Sequence, residues 1–420
     1  MPSGRRSKSP APRSTPSAGE EAASVPKYDV GVAYFKAGTL HAGSVINTPF
    51  KIYYPCLPTR SAPHATVFKP NIIRFLSAYL HVFFGAVYPS LRAGRIIHWL
   101  VSTFLLWPLG LFFAARKWWL PKCLEDAPIR PSNDEDGYPV IFFSHGLTGT
   151  GAEHAAWFHA WASRGWVVVS IWHCDRSAAL SPIGGSNLWY EHPNFNDPKG
   201  YNVNFRLDQV ERRADEFAAL REVVLSASKQ RVSRLARLAG SIDASRVILG
   251  GFSYGAATTA LVASRAGAKD TACRGLLLLD GWFNIDFAFI KRTCEKRGTP
   301  PPKCEDQMAF PPKAHAKGSV LAPPCIFVGS EEFNTLKKTE GFRALSRRTE
   351  ELQGHCKGGC EVHVLNGTVH WNFQDLCMWI PEAMHGLCRK ANVMGPAPDA
   401  RGVHRQVSDL LIEFAERCVA

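Results

Sequence analysis

The run VILGGFSYGAATTA, residues 247–260, passes from a short apolar strand into a string of small residues through Gly251-Phe252-Ser253-Tyr254-Gly255. A G-x-S-x-G pattern takes on chemical meaning in this strand-to-helix setting. A strand that ends on a serine and starts a helix with the next residue turns so tightly that side chains two positions either side would collide. That requirement accounts for Gly251 and Gly255. Such a turn lifts the serine Oγ over the sheet edge and aims the following N–H groups at a substrate. Read alone, the pentapeptide also fits an ordinary Gly/Ser turn; the flanking strand and helix favour the nucleophile.

Outward from this run the chain alternates between two patterns. PVIFFSHG, WVVVSIWHCD, SRVILGG, GLLLLDGWF, APPCIFVGSEE and EVHVLNGTVH are short continuous apolar stretches that end in turns. Between them lie helical patterns such as EHAAWFHAWASRG, and a long one in which Leu207, Val210, Ala214, Phe217, Leu220 and Val224 share a face. Strands buried on both faces and alternating with amphipathic helices predict an α/β fold, a mostly parallel central sheet with helices on both sides. VGVAYFKAGTL and TPFKIYYP read as two further strands joined by a hairpin connection, and HRQVSDLLIEFAERCV as a closing helix. The Pro/Lys-rich stretch 292–318 reads as an excursion loop.

A serine hydroxyl needs a base to take its proton, and the base needs a carboxylate to hold its tautomer. On this topology the partners follow the serine in the order acid, then histidine. His370 closes the loop Asn366-Gly367-Thr368-Val369 directly after the strand EVHVL, so it suits the base. Two placements compete for the acid: Asp280, at the end of LLLL, and Glu331 or Glu332, after CIFVG. Topology alone does not choose between them. The tetrahedral intermediate needs two N–H donors in place beforehand. Tyr254 supplies one by position, and the turn Ser144-His145-Gly146-Leu147 is the candidate for the other.

Over 420 residues, 46% hydrophobic and 20% charged residues describe a globular chain with a sizeable core. The formal charge of +13 favours an anionic partner. The basic residues are scattered and form no nucleic-acid motif, which sets nucleic acid aside and leaves an anionic membrane surface. Residues 1–26, rich in Ser, Pro and Arg, have no apolar signal core and read as a disordered tail ahead of a single domain over 27–420. The twelve cysteines lie far apart, as reduced thiols of an intracellular protein do. His355-Cys356-Lys357-Gly358-Gly359-Cys360, with His363 nearby, matches no common zinc spacing and reads as a polar loop. No metal or cofactor is called for, and no signal for oligomeric state is present.

SHGL after PVIFF, HCDRSAA after VVVSIW, then GFSYGAA, LLDGWF, FVGSEEFN and NGTVHWNF occur in the order and character of the platelet-activating factor acetylhydrolases. The resemblance is to the plasma and type II intracellular enzymes, calcium-independent serine phospholipases of α/β-hydrolase fold. It runs from about residue 30 to the C-terminal helix. It implies Ser253 as nucleophile, Asp280 as acid and His370 as base, with the backbone N–H groups of Leu147 and Tyr254 as the oxyanion hole. The choice of Asp280 rests on this resemblance, through the match of Asp280-Gly281-Trp282 to the family's D-x-W pattern. His173, Asp175 and Arg176 also match a family motif and read as a buried polar turn bracing the site. The implied activity is hydrolysis of the sn-2 acyl ester of a glycerophospholipid. The rival readings are a general lipase or carboxylesterase and a non-catalytic membrane-bound binding protein on the same scaffold.

The uncharged run IIHWLVSTFLLWPLGLFFAA, 96–115, lies in an apolar helical block over about 71–120 and is long enough to span a bilayer. Strands of one sheet precede and follow it, so a single crossing would put them on opposite sides of the membrane. Pro108-Leu109-Gly110 can break the run, and tryptophans and basic residues flank it. The reading is interfacial or hairpin docking through Trp99, Leu105, Trp107, Leu111, Phe112 and Trp118, with a buried helix pair as the alternative. The chain is then peripherally membrane-associated.

Overall fold

The computed structural model describes residues 27–41, 44–59, 62–65, 77–79, 81–82, 122–183, 186–199, 202, 204–227, 233–284, 287–301, 321–334, 340–380, 382–390, 394–397 and 399–420. The tail 1–26 and all six residues read as docking positions (Trp99, Leu105, Trp107, Leu111, Phe112 and Trp118) lie outside them. No described helix is long and apolar enough to cross a membrane.

In chain order the strands are β1 (Asp29–Phe35), β2 (Thr39–His41), β3 (Ser44–Ile46), β4 (Phe50–Cys56), β5 (Cys123–Glu125), β6 (Tyr138–Ser144), β7 (Val167–Ile171), β8 (Leu180–Ile183), β9 (Ser186–Trp189), β10 (Ile242–Phe252), β11 (Cys273–Leu279), β12 (Cys325–Ser330) and β13 (Cys360–Leu365). Nine of them form one sheet in the order β13-β12-β11-β10-β6-β7-β4-β1-β5. From β13 to β7 every pairing is parallel. β4 runs antiparallel to both β7 and β1, and the short ribbon β2–β3 occupies the connection between β1 and β4. The mostly parallel sheet with helices on both faces is the architecture expected from the apolar runs.

The reason those runs show no alternation is visible in their packing. In β6, Val140 and Phe142 enter one core while Ile141 and Phe143 enter the other. β11 divides the same way, Leu276 and Leu278 against Leu277 and Leu279. Helices α1 (Ala155–Ser163) and α4 (Ala400–Val419) cover one face, and α2 (Asn204–Ala227) and α3 (Tyr254–Ala266) cover the other. These inner strands must therefore be apolar on both sides, and the pattern of period two disappears; β13 departs from that expectation, because it lies at the sheet edge and stays partly exposed, Val362 included. Because β10, β11, β12 and β13 are parallel, their C-terminal ends share one edge of the sheet, where ligands of open α/β sheets bind.

One boundary needs correction. The first residues of the loop read over 292–318 belong to a helix, Phe287–Lys296. Ile290 and Cys294, four apart, bury their side chains, and this spacing carries the helix on to Lys296 before Gly298 and Pro300. Residues 302–320 are not among those described.

Candidate active site

β10 delivers Phe252 to the sheet edge, and Ser253 follows with φ 56° and ψ −118°, outside the regions an L residue prefers. The conformation is held by Ser253 N–H donating to Leu279 O (2.9 Å) and by Ser253 O accepting from Ala256 and Trp282 N–H (both 3.0 Å). The glycines are sterically required. A Cβ on Gly251 would stand 2.2 Å from Gly255 O, and one on Gly255 would stand 2.0 Å from Ser144 O.

The ends of the next parallel strands bring two more groups to Ser253. Asp280 follows β11 with φ 40° and is buried. Its Oδ1 accepts from Ser330 N (2.8 Å) and its Oδ2 from His370 Nδ1 (2.6 Å). His370 Nε2 lies 2.9 Å from Ser253 Oγ. The carboxylate can only accept, so Nδ1 carries the ring proton and Nε2 is left to take one from the serine. The ring is stacked between Phe252 (4.5 Å) and Phe333 (4.4 Å), which fixes its plane.

The competing acids have other partners. Glu331 Oε2 accepts from Gly367 N–H (2.6 Å), and Glu332 Oε2 accepts from His370 N–H (2.9 Å). Both hold the backbone of the histidine loop, while Asp280 alone of the three is bonded to the imidazole among the described contacts.

The turn expected to supply an oxyanion donor lies against the serine: a Cβ on Gly146 would be 3.2 Å from Ser253 Cβ. Leu147 follows directly and is half-buried. Tyr254 opens α3 fully buried, its hydroxyl donating to Arg206 O.

Beneath this turn lies a polar cluster of which sequence reading recognised only part. His173 Nε2 meets Ser144 Oγ (2.9 Å), and its Nδ1 meets Glu216 Oε2 (2.8 Å). His145 Nε2 accepts from His173 N–H (3.1 Å), so its Nδ1 bears the proton and donates to Gly146 O (2.7 Å). Burial, and then the Arg213 charge, holds both imidazoles well below their ordinary range, so they are neutral. Glu216 is pushed up to about 8 by burial and by Asp175. Asp175 accepts from Ser177 N–H (3.1 Å) and Oγ–H (2.6 Å). Arg176 has φ 66° and its carbonyl accepts from Glu191 N–H (2.9 Å).

Arg213 and Glu216 escaped sequence reading because they lie on a helix beside an apolar stripe, where charge ordinarily means solvent. Arg206, Gln209, Arg213 and Glu216 follow one another at spacings of three and four, a second stripe flanking Val210, Ala214 and Phe217. That polar stripe was the available signal.

The His355–Cys360 segment forms the turn between the helix Glu340–Gln353 and β13, and no described group of His, Cys, Asp or Glu is arranged to hold a metal ion. Cys304 apart, the cysteines fall among the described residues, and all of these are free thiols.

Comparison with known proteins bears out the resemblance drawn from the motifs. The family model described as platelet-activating factor acetylhydrolase, isoform II, matches residues 117–291, a span that holds Leu147, Ser253 and Asp280 and stops short of His370. A curated platelet-activating factor acetylhydrolase of Cavia porcellus is 25% identical over 261 residues, covering 58% of this chain and 50% of that protein. One of Canis lupus familiaris is 26% identical over 295 residues, covering 66% and 55%. The chain thus spans about half the length of the curated relatives it matches. Among solved structures, a ferulic acid esterase from Streptomyces cinnamoneus superposes with a TM-score of 0.54 at 16% identity, covering 94% of this chain and 92% of its own. That likeness concerns the fold, which is the α/β-hydrolase fold.

Proposed function

We infer that this chain, an α/β-hydrolase related to the platelet-activating factor acetylhydrolases, is a serine ester hydrolase that cleaves the sn-2 acyl ester of glycerophospholipids. The observation that carries the reading is the unbroken series Ser253 Oγ, His370 Nε2, His370 Nδ1, Asp280 Oδ2 at the C-terminal edge of the parallel strands.

Ser253 Oγ attacks the ester carbonyl while His370 Nε2 takes its proton. Asp280 orients the imidazolium and offsets its charge. The backbone N–H groups of Leu147 and Tyr254 hold the oxyanion. Collapse of the intermediate breaks the ester C–O bond, and His370 returns the proton to the departing lyso-phospholipid oxygen. Water then attacks the acyl-serine by the same steps in reverse roles, releasing the carboxylic acid. Polarisation of the carbonyl is assigned to backbone donors, so activity should persist in excess chelator; its loss there, restored by calcium, would count against the calcium-independent form of the reading.

Access to lipid is assigned to the apolar block over 71–120, with Trp99, Leu105, Trp107, Leu111, Phe112 and Trp118 as docking positions on sequence grounds. The free thiols among the described residues support an intracellular placement, and the apolar block is what assigns the chain to a membrane surface.

The decisive test is Ser253→Ala, with circular dichroism to confirm the fold. The variant should lose hydrolysis of a short-acyl phospholipid and covalent labelling by a fluorophosphonate probe. Undiminished labelling would remove Ser253 from its role. A wild-type chain that cleaves p-nitrophenyl or triacylglycerol esters and leaves phospholipid untouched would favour the general esterase.

A further inference from the structure

Arg213 is a buried cation where packing asks for none. It sits on α2 between residues of the apolar stripe and is fully buried. Taking a guanidinium out of water costs several kcal/mol even after relaxation, and a leucine or methionine could fill the same volume. No carboxylate touches it among the described ion pairs. Its N–H groups are instead spent on neutral oxygens: Nε donates to Thr258 Oγ1 (3.1 Å), Nη1 to Ser177 Oγ (2.7 Å), and Nη2 to Ser144 Oγ (3.2 Å) and to the carbonyl of His145.

These acceptors lie on the two segments that frame the nucleophile. Ser144 and His145 end β6 and lead into Gly146-Leu147. Thr258 lies one turn into α3, and its hydroxyl donates onward to Tyr254 O (3.0 Å). The guanidinium carbon also sits 4.9 Å from the centre of the Tyr254 ring. The seam between the segments is close, since the absent Cβ of Gly255 would meet both Ser144 O and His145 O. One rigid, planar cation thus bonds the turn that carries one candidate donor and, through a hydroxyl, the turn that carries the other.

We propose that Arg213 is a positioning residue of the acyl-transfer reaction, which fixes the separation of the Leu147 and Tyr254 N–H groups and holds a positive charge behind the oxyanion. The proposal rests on the assignment of those two donors above. Its chemistry is electrostatic: charge that develops on the carbonyl oxygen is met by dipoles already in place, backed by a cation in a water-poor interior. The planar fork matters as much as the charge, because an ammonium could not serve four separated oxygens at once.

The test compares wild type, Arg213→Met and Arg213→Lys on p-nitrophenyl acetate, together with the affinity of an alkyl trifluoromethyl ketone, whose serine adduct carries an oxyanion. Arg213→Met should lower kcat about 10- to 100-fold with KM within about twofold, a loss somewhat below that of deleting a donor outright. Trifluoromethyl ketone affinity should fall by the same factor as kcat/KM, and Arg213→Lys should recover part of both. A folded Arg213→Met with wild-type kcat, or with its loss confined to KM, would overturn the proposal. Should Arg213→Met fail to fold, Thr258→Val removes one acceptor isosterically. It should still lower kcat and ketone affinity together by several-fold; wild-type values there would likewise overturn the proposal. The two readings fail differently. A wild-type chain that neither hydrolyses ester nor labels with fluorophosphonate defeats the serine hydrolase assignment. An active, labelled wild type with an equally active Arg213→Met defeats only the role of Arg213.

Discussion

Of the histidine–carboxylate pairs in the fold, two invite comparison because their surroundings differ. His370 Nδ1 meets Asp280 at 2.6 Å, and His404 Nε2 meets Asp375 at 3.0 Å. Judged by the pair alone, either could be the basic half of a hydrolytic site. The far nitrogen separates them. Beyond His370 stands a hydroxyl, Ser253 Oγ, and the side chain keeps 19% of its surface exposed. Beyond His404 stands Trp157 Nε1–H, 3.1 Å from Nδ1, and only 2% of the side chain is exposed. An indole nitrogen only donates, so His404 Nδ1 must accept and Nε2 must carry the proton to Asp375. No hydroxyl stands at that nitrogen, and the same indole N–H is shared with His404 O (3.0 Å). Both oxygens of Asp375 are engaged, the second accepting from Ala156 N–H at 2.8 Å. The second pair fastens α1, the segment at 375 and α4 together. A histidine and a carboxylate in contact define a base only when the remaining nitrogen faces a proton that must move.

The largest expected effects fall on the first pair. Asp280→Asn should leave the fold intact and allow the imidazole its wrong tautomer, lowering kcat by about 10^4, or ~5.5 kcal/mol of transition-state stabilisation. His370→Ala should do comparable damage. Turnover of p-nitrophenyl acetate beside a denaturation curve for each variant reads both quantities. A loss of stability in place of activity would put Asp280 in the class of Asp375.

The second pair should behave in the opposite way. Asp375→Asn must turn an amide NH2 toward either Ala156 N–H or His404 Nε2–H, leaving a buried donor without an acceptor. The expected cost is about 1–3 kcal/mol of folding stability, with kcat within about twofold of wild type. Urea unfolding at constant protein concentration measures the first and ester turnover the second. A collapse of kcat in a stable variant would mean that His404 takes part in the chemistry.

The same contrast explains what could be read from the sequence. The parallel sheet was legible because strands with two buried faces leave no polar positions to confuse the pattern, as in VIFF and LLLL. The elbow was legible because a Cβ at Gly251 or Gly255 would stand 2.0–2.2 Å from a backbone oxygen, which admits no other residue. His370 could be placed from its loop after the last parallel strand. The acid could not be chosen by spacing, because Asp280 and Glu331 each follow the end of a strand on the same edge. What separates them is the direction of the side chain, and a strand-end position does not encode it. Arg213 and Glu216 were illegible for a different reason. A charge on an amphipathic helix ordinarily faces water, and only the tertiary placement of α2 against Ser144, His173 and Thr258 reverses that expectation.

The smallest expected effect concerns the acids that lost the competition. Glu332 accepts from His370 N–H, so it steadies the backbone of the base without touching its ring. Glu332→Gln retains a carbonyl oxygen at the same reach and gives up only the charge-assisted share of that bond. The change is worth about 0.5–1 kcal/mol, or a two- to fivefold fall in kcat with KM unchanged. A parallel series of Glu332→Gln and Asp280→Asn at one substrate concentration series distinguishes a brace from an orienting acid by three orders of magnitude or so. Were Glu332→Gln to cost as much as Asp280→Asn, the imidazole would have to turn toward Glu332 during the reaction. The stacking of His370 between Phe252 and Phe333 argues against that turn, since rotating the ring out of its plane would break both contacts.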